Sequence, residues 1–152
     1  MKVSFPATLI LIVLTALPAL SFAQWRFGIF GSGSVEQWFA TSGKSRNKSL
    51  EIFCSRRDRR PALALYLEDQ EYSKRDKITL NIQVDEQRIW QLTATRHAMA
   101  ITVPDSPTEL LQQLSAGNSV QLRFDHSENQ TKSFQFALRG SARALKALTE
   151  CN

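Results

Sequence analysis

The chain has 152 residues, 19 Lys and Arg against 14 Asp and Glu for a formal net charge of +5, and only two cysteines and two histidines. That length suits one ordinary domain with a real core, and the modest basic excess allows an anionic partner without the dense positive field of a nucleic-acid binder. With no CxxC pair and with His97 and His126 far from both cysteines, a zinc site is excluded, and no metal or cofactor is expected.

The first segment reads as an export signal. Lys2 is followed by an apolar run from Leu9 to Leu20, broken by Pro18, and then by small residues at Ser21 and Ala23. This predicts cleavage before Gln24 and a periplasmic or secreted product. An apolar run of about 12 residues is too short to cross about 30 Å of hydrocarbon, so no transmembrane segment is expected in the mature form. No cysteine stands just after the run, so a lipoprotein anchor is not expected. The expected organisation is a leader over 1–23 and a single disulfide-bonded β domain over 24–152, of 129 residues and charge about +4.

Next in the chain, Trp25, Phe27 and Ile29 alternate, while Gly31, Ser32, Gly33 and Ser34 form a turn-prone or flexible run before Trp38 and Phe39. Both a short strand with a turn and a mobile arm fit this pattern. From residue 50 onward, period-two alternation dominates. It appears at Leu50, Ile52 and Cys54; at Leu63, Leu65 and Leu67; at Ile78, Leu80, Ile82 and Val84; and at Trp90, Leu92 and Ala94. It returns at Val120, Leu122 and Phe124 and at Phe134, Phe136 and Leu138, with a shorter run within 98–103. Such runs predict half-buried antiparallel strands. The fold class is therefore mainly β, an antiparallel β-sandwich-like domain or open barrel. Polar clusters at Asp85–Gln87 and Ser127–Gln130 mark hairpin turns, and a third at Glu68–Arg75 marks another turn.

Two segments change to helical spacing. Over about 105–116, Leu110, Leu111 and Leu114 share a side, Asp105 or Ser106 is the expected cap, Pro107 lies in the first turn and Gly117 stops the helix. Over about 141–151, Ser141 is the expected cap, and Leu145, Leu148 and Cys151 follow three apart. In an oxidising compartment Cys54 and Cys151 read as a disulfide joining an early strand to the last helix.

No catalytic motif is present. The GSGS run lacks the lysine of a phosphate loop, and Ser141 is in a cap context and not in a GxSxG elbow. The carboxylates Glu68, Asp69 and Glu71, and likewise Asp85 and Glu86, fall in turns, where charge is normally solvated. The sharpest local feature is Arg56, Arg57, Asp58, Arg59 and Arg60, with Lys44, Arg46 and Lys48 nearby. Planar guanidinium forks suit carboxylate or phosphate, although charge runs more often mark a solvated face. Trp25, Trp38, Phe39 and Tyr72 are candidates for an exposed aromatic surface, whereas Trp90 alternates with core positions. No nucleic acid is expected, because no basic strand carries the aromatics that stack bases.

Ile89, Trp90, Leu110–Leu114, Val120–Phe124 and the run FQFALRGSARALKALTEC ending at Cys151, together with EIFC ending at Cys54, resemble the exported bacterial proteins of the invasion-associated locus B type. They also resemble the periplasmic accessory protein of type VI secretion. The resemblance covers about two thirds of the mature chain and implies a small β-sandwich-like domain with the same cysteine pairing and no catalysis; it carries over no active-site residue. The N-terminal third departs from it. The function expected is an envelope binding or accessory module, engaging an envelope protein or anionic envelope component through the Arg56–Arg60 loop and the Trp25–Phe39 segment. The alternative is an inhibitor or immunity protein acting on an exported enzyme, although a basic chain is poorly matched to a cationic hydrolase.

Overall fold

The computed structural model describes residues 25–42, 47–68, 70 and 72–148. The expected leader, its cleavage site before Gln24, Lys44, Arg46, Asp69, Glu71 and Cys151 lie outside the described residues. In chain order the strands are β1 (Arg26–Phe30), β2 (Gln37–Thr41), β3 (Lys48–Ser55), β4 (Ala62–Leu67), β5 (Tyr72–Val84), β6 (Trp90–Ala98) and β7 (Ala100–Val103). Helix α1 (Thr108–Ala116) follows, then β8 (Ser119–Ser127), β9 (Gln130–Ala137) and helix α2 (Ser141–Lys146). All nine strands belong to one sheet in the order β1-β2-β3-β4-β7-β6-β5-β8-β9, with every neighbour antiparallel.

Alternation fixes which face points inward. Leu50, Ile52 and Cys54, Leu63, Leu65 and Leu67, Leu80, Ile82 and Val84, and Val120, Leu122 and Phe124 are all buried. Apart from Ala64, which is buried as well, the residues between them are exposed or at intermediate depth. A sheet apolar on one face must bury that face against something, and here it curls on itself into a half-barrel. The ammonium of Lys48 on β3 lies 5.2 Å from the ring centre of Phe134 and 5.5 Å from that of Phe136, both on β9. Yet β3 and β9 are separated by five strands in the sheet order. At the seam, the Trp25 indole Nε1–H donates to the Ala137 carbonyl at 2.9 Å, stitching the start of β1 to the end of β9.

Leu110 and Leu114 of α1 are fully buried in the same core, and Leu111 packs against it. Trp90 Nε1 donates to Gln113 Oε1 at 2.8 Å, tying β6 to α1. Gly117 ends α1 where a Cβ would lie 2.4 Å from Val84 Cγ1, so a side chain there would displace the packing of β5 on the helix end. Both hairpin turns form: β5 pairs β6 around Asp85–Gln87, and β8 pairs β9 around Glu128 and Asn129. The N-terminal segment is the strand and turn, with a 3₁₀ turn at Gly33–Val35 between β1 and β2.

Several local expectations are corrected. Helix α1 starts at Thr108, with Pro107 in the cap position and no side-chain cap. Asp105 instead pairs with Arg60 at 2.9 Å, and Ser106 Oγ donates to the Val103 carbonyl. Ser141 does not cap α2, because left-handed Gly140 occupies that position. The Ser141 hydroxyl is buried and donates to the Leu114 carbonyl at 2.7 Å, locking α2 onto the end of α1. The described part of α2 ends at Lys146, and its expected extension toward Cys151 passes outside the described residues. The polar stretch expected as a turn up to Arg75 joins β5 from Tyr72 onward. Its pairing with β6 is irregular between Tyr72 and Asp76, and Lys74 and Arg75 remain in solvent.

Asp85 is also more than a solvated turn charge. Its carboxylate accepts from the backbone N–H of Asn118 at 3.0 Å and of Ser119 at 2.8 Å, and from the Ser119 hydroxyl. These bonds hold the β5–β6 turn to the start of β8, and they lower the Asp85 pKa below the ordinary carboxylate value. A depressed carboxyl pKa stabilises the fold above the unfolded-state value, about 4, and that contribution is lost as pH falls through the folded value. Urea midpoints of the wild type and Asp85→Asn should therefore differ by a constant margin at neutral pH and converge below about pH 4. Ser141→Ala should cost about 1–2 kcal/mol in urea unfolding, since it leaves the Leu114 carbonyl buried without its donor.

Candidate functional site

The turn from β3 to β4 carries the arginine cluster. It is shaped by local bonds: the Asp58 N–H donates to Ser55 Oγ at 3.0 Å and the Arg59 N–H to the Ser55 carbonyl at 2.9 Å, with Arg59 in the left-handed region at φ 52°. Arg56, Arg57, Arg59 and Arg60 are all exposed. Arg60 is held by Asp105 at 2.9 Å and approaches Asp58 at 3.6 Å. Arg56, Arg57 and Arg59 form no ion pair among the described residues. Three guanidinium groups therefore project into solvent without an ion partner among the described residues.

This turn lies between two apolar surfaces. On one side, the Arg56 N–H donates to the Glu36 carbonyl at 3.0 Å, joining the turn to the connection between β1 and β2. Register continues the link, because Phe30 pairs with Gln37 and Gln37 with Ser55, the residue preceding Arg56. Strand β1 is one edge of the sheet. Along it and its turn, Ile29 is 57% exposed, Phe30 72% and Val35 69%. The charge on strand β1 is confined to Arg26 at its start, and Phe27–Phe30 carry no charge or Pro that would discourage another strand from pairing with that edge.

On the other side, the Ser106 N–H donates to the Pro61 carbonyl at 2.9 Å. Beyond that bond lies a groove of about 550 Å³ between α1 and α2. Ile52, Leu111, Leu145 and Leu148 make its apolar walls, and Thr108, Gln112 and Lys146 are among its polar lining. The tie from Ser141 to Leu114 sets the spacing of the two helices that form it.

The aromatic candidates are redistributed. Trp25 and Trp38 are 6% and 9% exposed and belong to the core, so neither offers the exposed surface expected of it. The Trp25 indole is used by the seam, and Trp38 sits opposite Cys54 in the β2–β3 register. Phe39 is half-buried, its ring laid over Gly28, where a Cβ would come within 2.4 Å of the ring. The exposed apolar side chains of this segment are instead Phe27, Ile29, Phe30 and Val35. The signal that could have found them was the run from Phe27 to Val35, in which apolar residues flank glycines and carry no charge.

The histidines assemble no nucleophile and base. His126 faces the far end of the half-barrel, edge-on to the Tyr72 ring at 5.9 Å, and its pKa is lowered first by burial and then by the charges of Lys132 and Arg96. Arg96 there forms a two-pronged pair with Asp76, at 3.1 and 2.6 Å, and packs its guanidinium over the Tyr72 ring. Among the described residues no group of three or more His, Cys, Asp or Glu could hold a metal ion. No helix among them is long and apolar enough to cross a membrane.

A solved structure, invasion-associated protein B from Bartonella henselae, matches this fold with a TM-score of 0.57 at 11% identity, covering 86% of this chain and 93% of that one. At that identity the match establishes the shared fold, as the C-terminal strand, glycine and helix imply. A search of curated proteins finds no match. The family model YfjT matches residues 23–145, which is most of the sequence, and the chain accordingly belongs to the YfjT family.

Proposed function

We propose that this protein is an exported, non-enzymatic binding module of the cell envelope, periplasmic or secreted, that docks a partner where the β1 edge meets the arginine turn. The observation that carries the proposal is the adjacency of exposed Ile29, Phe30 and Val35 to uncompensated Arg56, Arg57 and Arg59. Of an envelope protein and an anionic envelope component, the edge favours a protein. An edge strand offers a row of backbone N–H and C=O groups that another extended polypeptide satisfies.

The partner segment would add a strand beside β1 and cover Phe30 and Val35, with acidic residues flanking it toward the guanidinium groups. Burying one such apolar side chain from near-full exposure contributes about 1.5–3 kcal/mol. The arginines add steering that weakens as salt rises. Similarity of fold to invasion-associated protein B supports an accessory role. A removable leader over 1–23 and a bridge from Cys54 to Cys151 belong to the same reading; Cys54 is buried on β3, as a bridged cysteine would be.

Capture of a protein partner from envelope extract, through a photo-crosslinker at position 30, is expected for the wild type. It should fall about tenfold with Ile29→Lys, and again with Arg56, Arg57 and Arg59 all changed to serine, as expected when an interface anchor is removed. Equal capture by both variants would exclude this corner as the docking site. The purified mature form should start at Gln24 and weigh less than the dithiol form by the two hydrogens lost on oxidation. Reduction should lower its unfolding free energy by up to about 4–5 kcal/mol, the chain-entropy value for a loop of about 100 residues. Two free thiols in the purified protein would remove the bridge.

A further inference from the structure

The outward face of β5, β6 and β8 carries a second and unrelated feature, on the side of the sheet opposite the helices. Asn81 of β5 is in register with Gln91 of β6 on one side and Arg123 of β8 on the other, and Gln83 is in register with Gln121. With Ile89 these residues line a depression of about 210 Å³. Four carboxamides therefore stand in two cross-strand rows, with strands about 4.8 Å apart. Neither a carboxylate nor a lysine lines the depression.

The amides are partly preset. Arg123 Nη2 donates to Gln121 Oε1 at 2.7 Å, Gln121 Nε2 donates to Ser133 Oγ at 3.1 Å, and Gln83 Nε2 donates to the Gln87 carbonyl at 3.0 Å. Asn81, at the centre of the first row, is different. Its Oδ1 is removed from solvent and has no donor. A desolvated acceptor without a donor costs stability unless a ligand supplies the missing O–H or N–H.

We infer that this depression is a binding site for a neutral, hydroxyl-rich glycan, most simply an N-acetylated one. Each sugar hydroxyl both donates and accepts, as each carboxamide does, so the two rows complement a pyranose edge without any charge. When the Asn81 amide turns into the depression, an N-acetyl group supplies the N–H that its Oδ1 lacks and the C=O that the exposed Gln91 amide meets. Ile89, 55% exposed at the rim, offers an apolar contact for the C–H face of a sugar ring. Arg123 keeps its charge while donating to Gln121, but it is the one cation against four carboxamides in the lining, and that balance favours a neutral ligand over a polyanion. The site shares no residue with the β1 corner and stands independently of the function proposed above.

The test is a ¹⁵N NMR titration of the folded protein with an oligomer of N-acetylglucosamine, with a sulfated oligosaccharide as the anionic comparison. The expected result is saturable shifts confined to β5, β6 and β8 with the neutral oligomer. Affinity should weaken about tenfold in Asn81→Leu and in Gln91→Ala and stay unchanged in the triple arginine-to-serine variant, as loss of one buried ligand hydrogen bond predicts. Asn81→Leu should also unfold at the same or a higher temperature, because it removes the unpaired acceptor. Gln91 is exposed, so Gln91→Ala keeps the test open if Asn81→Leu fails to fold. No shifts at millimolar neutral sugar, equal affinity in both groove variants, or preference for the sulfated ligand would each overturn the assignment.

Discussion

Among the described residues, the nine-stranded sheet with one apolar face has no neighbouring layer large enough to cover it, since the two helices there together span 15 residues. The sheet therefore covers itself. Curling brings β9 over β3, and the contacts that report it are the Trp25 to Ala137 hydrogen bond and Lys48 lying over Phe134 and Phe136. Everything else in the molecule depends on that closure. Among the described residues it leaves a space that α1 and α2 fill, and it makes β1 and β9 the edge strands of a curved surface. It also sends the alternate, polar residues of β5 and β8, among them Asn81, Gln83 and Gln121, to the convex side.

The helices are fitted to this shape by few and specific contacts. Leu110 and Leu114 enter the core, Trp90 reaches Gln113, and the buried Ser141 hydroxyl joins the end of α1 to the start of α2. Asp85 does similar work at the neighbouring turn, accepting the N–H groups that begin β8. Hydrogen bonds of this kind are modest in net energy when made and costly when one partner is removed. They fix the helix ends that bound the α1–α2 groove and the turn that leads into β8.

The two surfaces proposed for binding differ in their physics. The β1 corner combines a strand edge, exposed apolar side chains and unpaired guanidinium groups, so its recognition is backbone-led and salt-sensitive. The amide rows on the convex face are nearly uncharged, and their selectivity comes from matched donors and acceptors. A scaffold whose inward alternation is reserved for the core can present both at once, because the outward positions are released from packing.

Alternation at Leu50 to Cys54, Ile78 to Val84 and Val120 to Phe124 was enough to specify strands, their buried face and two hairpins, because burial of one face imposes period two on any chain that folds this way. The spacing of Leu110 and Leu114 and the stop at Gly117 likewise located α1. Cap assignments were not legible: Ser141 and Asp105 are both good cap residues, and the competition was settled by distant partners, the Leu114 carbonyl and Arg60. For the same reason Trp25 and Trp38 could not be told from surface aromatics, since burial of a residue near a strand end depends on which strand closes over it. The sequence by itself determined what β3, β5 and β8 hide and that four arginines share one turn. Only the tertiary structure decided that this turn adjoins an exposed apolar edge, and that Asn81 aligns with Gln91 and Arg123, because pairing between distant strands is set by closure of the whole sheet and not by any local pattern.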